Sequence, residues 1–333
     1  NVSWQMSSQP SSAIKQQASG PWRIHQESSA GSQWNSKNHL NADGKVSTRY
    51  SGYRLECAEG HVHLHERADP ILSFRDNLGG VSIYLEKFWQ NFPSALELSD
   101  GQCKTSLFPA EPDRLHELQG GERKTHRLLF ALSDDVTELT SALLKPLCTL
   151  TKNYYVKTQA LPFLSGLNTE KALETLIEEG IEGHNNFFAK REVADEFGWR
   201  HFGDLPADHE SLYKEGDNYV SHYNNQYDPV MGFMHQYINS GDARWFELAD
   251  DLAAHVKDID LYHTTQDRAE YNGGLFWHTD HYLDAQTSSH RTYSKLQLTH
   301  TPYSEHGGGP GGQHCYTTGL LCHYFISGSA TSK

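Results

Sequence analysis

Near Pro162 the chain changes its hydrophobic period, and that switch demands two differently built parts. Ahead of it, His61-Val62-His63-Leu64-His65 and Val81-Ser82-Ile83-Tyr84-Leu85 alternate with period two. Gly79-Gly80, Ser99-Asp100-Gly101 and Gly120-Gly121 supply turns between such runs. This predicts antiparallel strands with one wet face, a β-sandwich over residues 21–162, with a short helix at 134–147 among them. Behind the switch, Leu173, Leu176, Ile177 and Ile181 recur at helical spacing. Asp228-Pro229 reads as an N-cap and first-turn proline opening a helix to about Asn239. After the turn at Asn239-Ser240-Gly241, Asp242 caps a second helix with the stripe Phe246, Ala249, Leu252, Ala253 and Val256.

An internal repeat specifies the second part further. The run from Gly232 to Ala243 aligns without gaps on the run from Gly319 to Ala330. Identities fall at Gly232/Gly319, Tyr237/Tyr324, Ser240/Ser327, Gly241/Gly328 and Ala243/Ala330, and upstream Gln226 meets Gln313. Repeated helix–SerGly–helix hairpins are the unit of α/α solenoids and toroids. The second copy reaches Lys333 where its partner helix would begin, which predicts a helical domain incomplete as given. The expected order is a loose Ser/Gln-rich leader at 1–20, a β-sandwich at 21–162 and a partial α/α toroid at 163–333.

Composition narrows the class. A formal charge of −14 lacks the basic footprint of a nucleic-acid binder. No run approaches the ~20 apolar residues that cross a bilayer. Five scattered cysteines without CxxC spacing give neither a disulfide framework nor a zinc cluster. An export signal is not visible; a secreted or periplasmic location is favoured over a cytoplasmic one. Oligomeric state is not legible.

The chemistry concentrates between Trp199 and Tyr316, where histidines cluster with Tyr, Asn, Arg and Gly. Four segments carry it: 198–210, 221–228, 271–281 with its continuation 289–293, and 307–316. Aromatic faces, amides and imidazoles match the dense donors and acceptors of a sugar, and glycines let backbone approach a ligand. Bland readings stand beside this one: the glycines as loops, Asn224-Asn225 as a cap, Trp199 and Trp277 as core. His278-x-x-His281 resembles a metal pair in spacing alone, without HExxH, so no metal ligands are assigned. Gly307-Gly308-Gly309-Pro310 is no P-loop, and there is no GxSxG elbow.

The runs GWRHFGDLPADHE, HYNNQYD, YNGGLFWHTDHYLDA, HRTYS and GGGP…HCYTTGLL resemble the exo-rhamnogalacturonan lyase-like proteins, the polysaccharide lyase family 26 type. Phe88-Trp-Gln-Asn-Phe-Pro93 and the stretch from Leu118 to His126 look like that family's central β-domain. The resemblance runs from about Gly20 to the end. It implies a β-sandwich followed by an (α/α) toroid, with a barrel ahead of them and further toroid helices behind, neither contained in this sequence. It also implies β-elimination beside a uronic acid in an oligo- or polysaccharide. A clamp must neutralise the carboxylate, a base must take the C5 proton, and an acid must protonate the leaving oxygen. His278, His281, His290, Arg291, Tyr293 and Tyr223 are the catalytic candidates. Substrate binding falls to Arg200, His201, Asp204, His222, Asn224, Asn225, Tyr271, Asn272, Trp277 and His314. No cofactor is required, with a divalent cation such as calcium as an option. The rival readings are a glycoside hydrolase, with Asp204, Asp208, Glu210 and Asp280 as carboxylates, and a non-catalytic glycan-binding protein.

Overall fold

The computed structural model describes residues 2–8, 12–18, 21–39, 41, 45–58, 60–76, 79–99, 102–111, 116, 118, 121–137, 139, 150–162, 164, 170–207, 221–222, 225–267, 269, 271–276 and 314–333. At 2–8, 12–18, 37, 74–76, 207 and 221–222 only the backbone is described. The chain forms two compact units: 1–117 with 124–146 and 197–200, and 118–123 with 147–196 and 201–333.

The first unit is antiparallel β. One sheet has the strand order β10-β7-β6-β1-β2, and a second has the order β5-β4-β3-β8-β9. The first sheet comprises β1 (Val2–Ser8), β2 (Ser12–Ala18), β6 (Pro70–Asp76), β7 (Gly79–Leu85) and β10 (Leu128–Ala131). The second comprises β3 (Trp22–Gln26), β4 (Tyr53–Cys57), β5 (Gly60–His63), β8 (Ser94–Ser99) and β9 (Gln102–Ser106). The segment expected to be a loose leader is therefore a strand hairpin, with Val2 opposite Ala18 and Ser8 opposite Ser12. Its Ser/Gln content hides an alternation, Val2, Trp4 and Met6, which is the signal for pairing. Most of 134–147, where a short helix is expected, lies outside the described residues.

Alternation selects which apolar side chains of β3 and β4 enter the core. In β3, Trp22 and Ile24 enter the core with Tyr53 and Leu55 of β4, Leu96 and Leu98 of β8, Leu72 of β6 and Leu85 of β7. Between them in β3, Arg23 carries charge. Arg23 lies 3.9 Å from Glu56 on one neighbouring strand and 3.8 Å from Glu97 on the other, and it also bonds Glu111. Arg49 reaches Glu111 at 3.0 Å and the fully buried Glu27 at 3.4 Å. At Glu111, burial raises the carboxyl pKa, but donation from Arg23 and Arg49 outweighs it and brings the group down to about 2. A depressed folded-state pKa contributes stability above the unfolded value near 4.5, and that contribution fades as pH falls toward 2. Glu111→Gln is accordingly expected to melt below the parent protein at neutral pH. The gap should narrow below pH ~4.5 and close near pH ~2 in acid titrations followed by circular dichroism.

The second unit is mainly helical: α1 (Lys152–Thr158), α2 (Lys171–Glu179), α3 (Phe187–Ala194), α4 (Pro229–Ser240), α5 (Ala243–His255) and α6 (Thr318–Ser327). A short antiparallel pair, β11 (Pro206–Ala207) and β12 (Ser221–His222), accompanies them. The division comes earlier than the expected boundary after Pro162. Lys152–Thr158 is helix, and Tyr155 and Leu161 pack in the helical core. Within α2, Leu173 and Leu176 are exposed while Ile177, and Ile181 just after the helix, pack in that core. The expected stripe of α5 is buried throughout, with Ala249, Leu252, Ala253 and Val256 at 0% exposure.

The repeat is realised bond for bond. Gly241 and Gly328 end α4 and α6 at φ 75° and 71°, each donating its N–H to the carbonyl of the matched Tyr237 or Tyr324. Ser240 Oγ donates to Gln236 O at 2.7 Å and accepts from Asp242 N–H. Ser327 Oγ repeats this with His323 O at 2.6 Å and Ser329 N–H. The left-handed stop is what requires glycine at both positions. No helix among the described residues is long and apolar enough to cross a membrane.

Candidate functional site

The site grows from one carboxylate that caps two helices. Asp228 Oδ1 accepts from Met231 N–H at 3.3 Å in α4, and Oδ2 accepts from Gly319 N–H at 2.9 Å in α6. Burial pushes its carboxyl up from the usual carboxylate range, against the pull of those two N–H donors. Gly319 is the residue that permits the approach, since a Cβ there would stand 2.2 Å from Asp228 Oδ1.

Three of the four sequence segments meet around this cap. Asn225, fully buried, donates Nδ2 to the carbonyl of Tyr316 at 2.7 Å. Tyr227 sets its ring edge-on to His314 at 5.3 Å, and Tyr227 itself is 67% exposed. Cys315 Sγ reaches the carbonyl of Leu275, which closes the 271–276 segment onto the same place. Tyr227, Asp228 and His314 all hold positive φ, at 63°, 56° and 65°. Left-handed non-glycine backbone costs on the order of 1 kcal/mol per residue and gathers where ligands are clamped.

The fourth segment arrives by way of a buried trio. Asp204, His255 and Asp260 have side chains at 0% exposure, and His255 Nε2 lies 3.2 Å from Asp204 Oδ2 and 3.4 Å from Asp260 Oδ1. Gly203, at φ 101°, lets the Asp204 turn press on α5, where a Cβ would meet Asp251 O at 2.3 Å. Asp260 is brought back by a π-helical turn, Val256–Asp260, in which Leu261 N–H bonds Val256 O. Widening the helix from i→i+4 to i→i+5 bonds returns a residue five positions later to nearly the same face. Burial alone would discharge the imidazole, but the two carboxylates outweigh that and push its pKa up to about 10. Phe276 N–H then bonds Asp260 O at 3.0 Å, which joins the trio to the 271–276 segment.

The other expected site residues are distributed as follows. His201 is buried 3.9 Å from Glu196. Asn272 folds back on its own loop, accepting from Asp267 N–H and donating to Asp267 O, so its amide serves the turn. Tyr271 stands beside Phe276 at 6.3 Å. Arg200 belongs to the sheet unit and lies over the Trp199 ring at 4.7 Å, with Trp199 edge-on to Phe108. His222 lies in β12, with backbone alone described. His278, His281, His290, Arg291, Tyr293, Tyr223, Asn224 and Trp277 lie outside the described residues. Cys57, Cys103, Cys315 and Cys322 are free thiols.

His255 and Asp260 were not among the candidates. A signal was available for His255 alone: Asp251 and His255, four apart, interrupt an otherwise apolar stripe, and buried charge on a core-facing helix is costly unless it is used. Asp251 pairs with the buried Arg191 at 3.0 Å. A second polar chain also ties α5 to α6. His323 links Asp250 through Nε2 and Ser332 through Nδ1, both at 2.9 Å, and Lys257 Nζ donates to Ser332. Its residue types are those of a nucleophile triad, but Ser332 is 5% exposed and the chain serves as an internal strut. No protein-family model matches this chain, and no curated protein matches it.

Proposed function

We propose that this chain is a glycan-cleaving lyase that acts by β-elimination beside a uronic acid, with a rhamnogalacturonan-like polysaccharide as substrate. The scaffold of this reading is a β-sandwich followed by helices of an α/α toroid, the arrangement that the resemblance to exo-rhamnogalacturonan lyase-like proteins implies. Two antiparallel sheets sharing one core support the sandwich, and the two bond-matched helix–SerGly turns support the toroid.

One observation carries the functional reading. Residues from three separated sequence segments gather at the starts of α4 and α6, with an exposed tyrosine ring and a histidine held by left-handed backbone beside a buried amide. A flat exposed ring with a polar neighbour suits a sugar face. In the proposal Tyr227 is a stacking platform, Asn224 and Arg291 clamp the uronate carboxylate, and the buried Asn225 holds the Tyr316 backbone in place. One of His278, His281 and His290 removes the C5 proton, and one of Tyr223, Tyr271 and Tyr293 protonates the leaving oxygen. A hydrolase needs carboxylates flanking the scissile bond. Asp204, one of those open to that role, is 1% exposed and engaged with His255.

The test is incubation with rhamnogalacturonan and other uronate glycans while following the ultraviolet absorbance of the conjugated double bond that elimination creates. Tyr227→Ala is expected to raise KM roughly 5–30-fold, from about 1–2 kcal/mol of lost stacking, with melting unchanged. An unchanged KM would remove Tyr227 from the platform.

A further inference from the structure

We infer that Asp204, His255 and Asp260 form a site for a first-row divalent cation, with zinc the best fit and manganese next. This inference is independent of the glycan reading. The donor atoms of the three residues lie within 4.8 Å of one another. The imidazole nitrogen stands 3.2 and 3.4 Å from the two carboxylate oxygens. Ligands held at ~2.0–2.2 Å around a tetrahedral zinc ion stand about 3.3–3.5 Å apart, so the imidazole is already at ligand spacing from both carboxylates.

The donor set selects the metal. Calcium and magnesium take oxygen ligands, and an imidazole in the set points instead to zinc or another first-row ion. Charge points the same way, because a divalent cation balances the two buried carboxylates.

Each ligand is placed by a device of its own. Gly203 brings the Asp204 turn against α5, His255 closes α5, and the π-helical turn returns Asp260 to the same face. Because the trio is buried, the cation ties the 201–205 turn to α5 and the 271–276 segment, and it does not meet substrate. Phe276 N–H on Asp260 O and Cys315 Sγ on Leu275 O carry that anchor to the cap at Asp228 and Gly319.

The experiment uses the full chain. Protein stripped with a chelator and dialysed is titrated with Zn2+ against a competing chromophoric chelator, beside Asp204→Asn, Asp260→Asn and His255→Gln. Melting is followed with and without the ion. The expected result is one tight equivalent in the parent protein that is missing from each variant. Melting should rise by roughly 5–10 °C when zinc is a hundredfold above its Kd. Co2+ in place of zinc should give the visible absorption of a low-symmetry site in the parent protein alone. Where a variant does not fold, the parent's stoichiometry and melting shift decide. Equal zinc binding by the parent and a folded variant would assign the ion to the other histidines and overturn the inference. A parent that binds neither Zn2+ nor Mn2+ tightly would also overturn it, leaving an imidazole shared by two aspartates.

Discussion

Gly203→Ala is expected to destabilise the helical unit by roughly 3–5 kcal/mol, more than most substitutions at an exposed glycine would cost. The residue sits at φ 101°, where a side chain is strained whatever the space around it. The new Cβ would also stand 2.3 Å from the carbonyl oxygen of Asp251 and 3.2 Å from the Cβ of His255. Both obstacles belong to α5, whose buried face is the centre of the core, so neither can retreat cheaply. Gly241 provides the control: its φ is 75°, but a Cβ there meets open space. Gly241→Ala should therefore cost only about 1 kcal/mol. Thermal melts compare the two, and amide exchange along α5 should show lost protection for Gly203→Ala alone.

His255→Leu is the second large effect, and its interest lies in what reverses it. The substitution leaves Asp204 and Asp260 as two buried carboxylates facing each other, at a cost of roughly 3–5 kcal/mol. Replacing the whole trio, Asp204→Asn, His255→Leu and Asp260→Asn together, removes the facing carboxylate charges. That variant should recover at least half of the loss, because repulsion between two buried carboxylates costs more than missing contact area. Melting temperatures of the parent, single and triple variants measure it. A triple variant less stable than His255→Leu would show that the aspartates hold the fold through their other bonds, such as Asp204 Oδ1 accepting from Leu205 N–H.

Much of the helical unit could be read from the sequence because its signals are local. Asp228-Pro229, Asp242 and the SerGly turns act within a few residues of themselves, and each does in the structure what its side chain dictates. The hairpin at 2–18 was hidden because serine and glutamine mask an alternation that only pairing with β6 makes sense of. The site was legible as a set of segments and not as a geometry. Asn225 and Tyr316 are adjacent in space but far apart in sequence, and only folding reveals their bond. Asn272 looked like a ligand residue for the same reason that it makes a good turn: its amide both donates and accepts. His255 and Asp260 escaped because five-residue spacing has no meaning on an α-helix and acquires one only through the π-helical turn.

The central claim, elimination at a uronate, is tested most directly by weighing the products of a uronate-containing oligosaccharide. Elimination predicts two fragments whose masses sum to that of the substrate, one carrying a double bond. Fragments whose sum exceeds the substrate by one water would mean hydrolysis and would contradict the account.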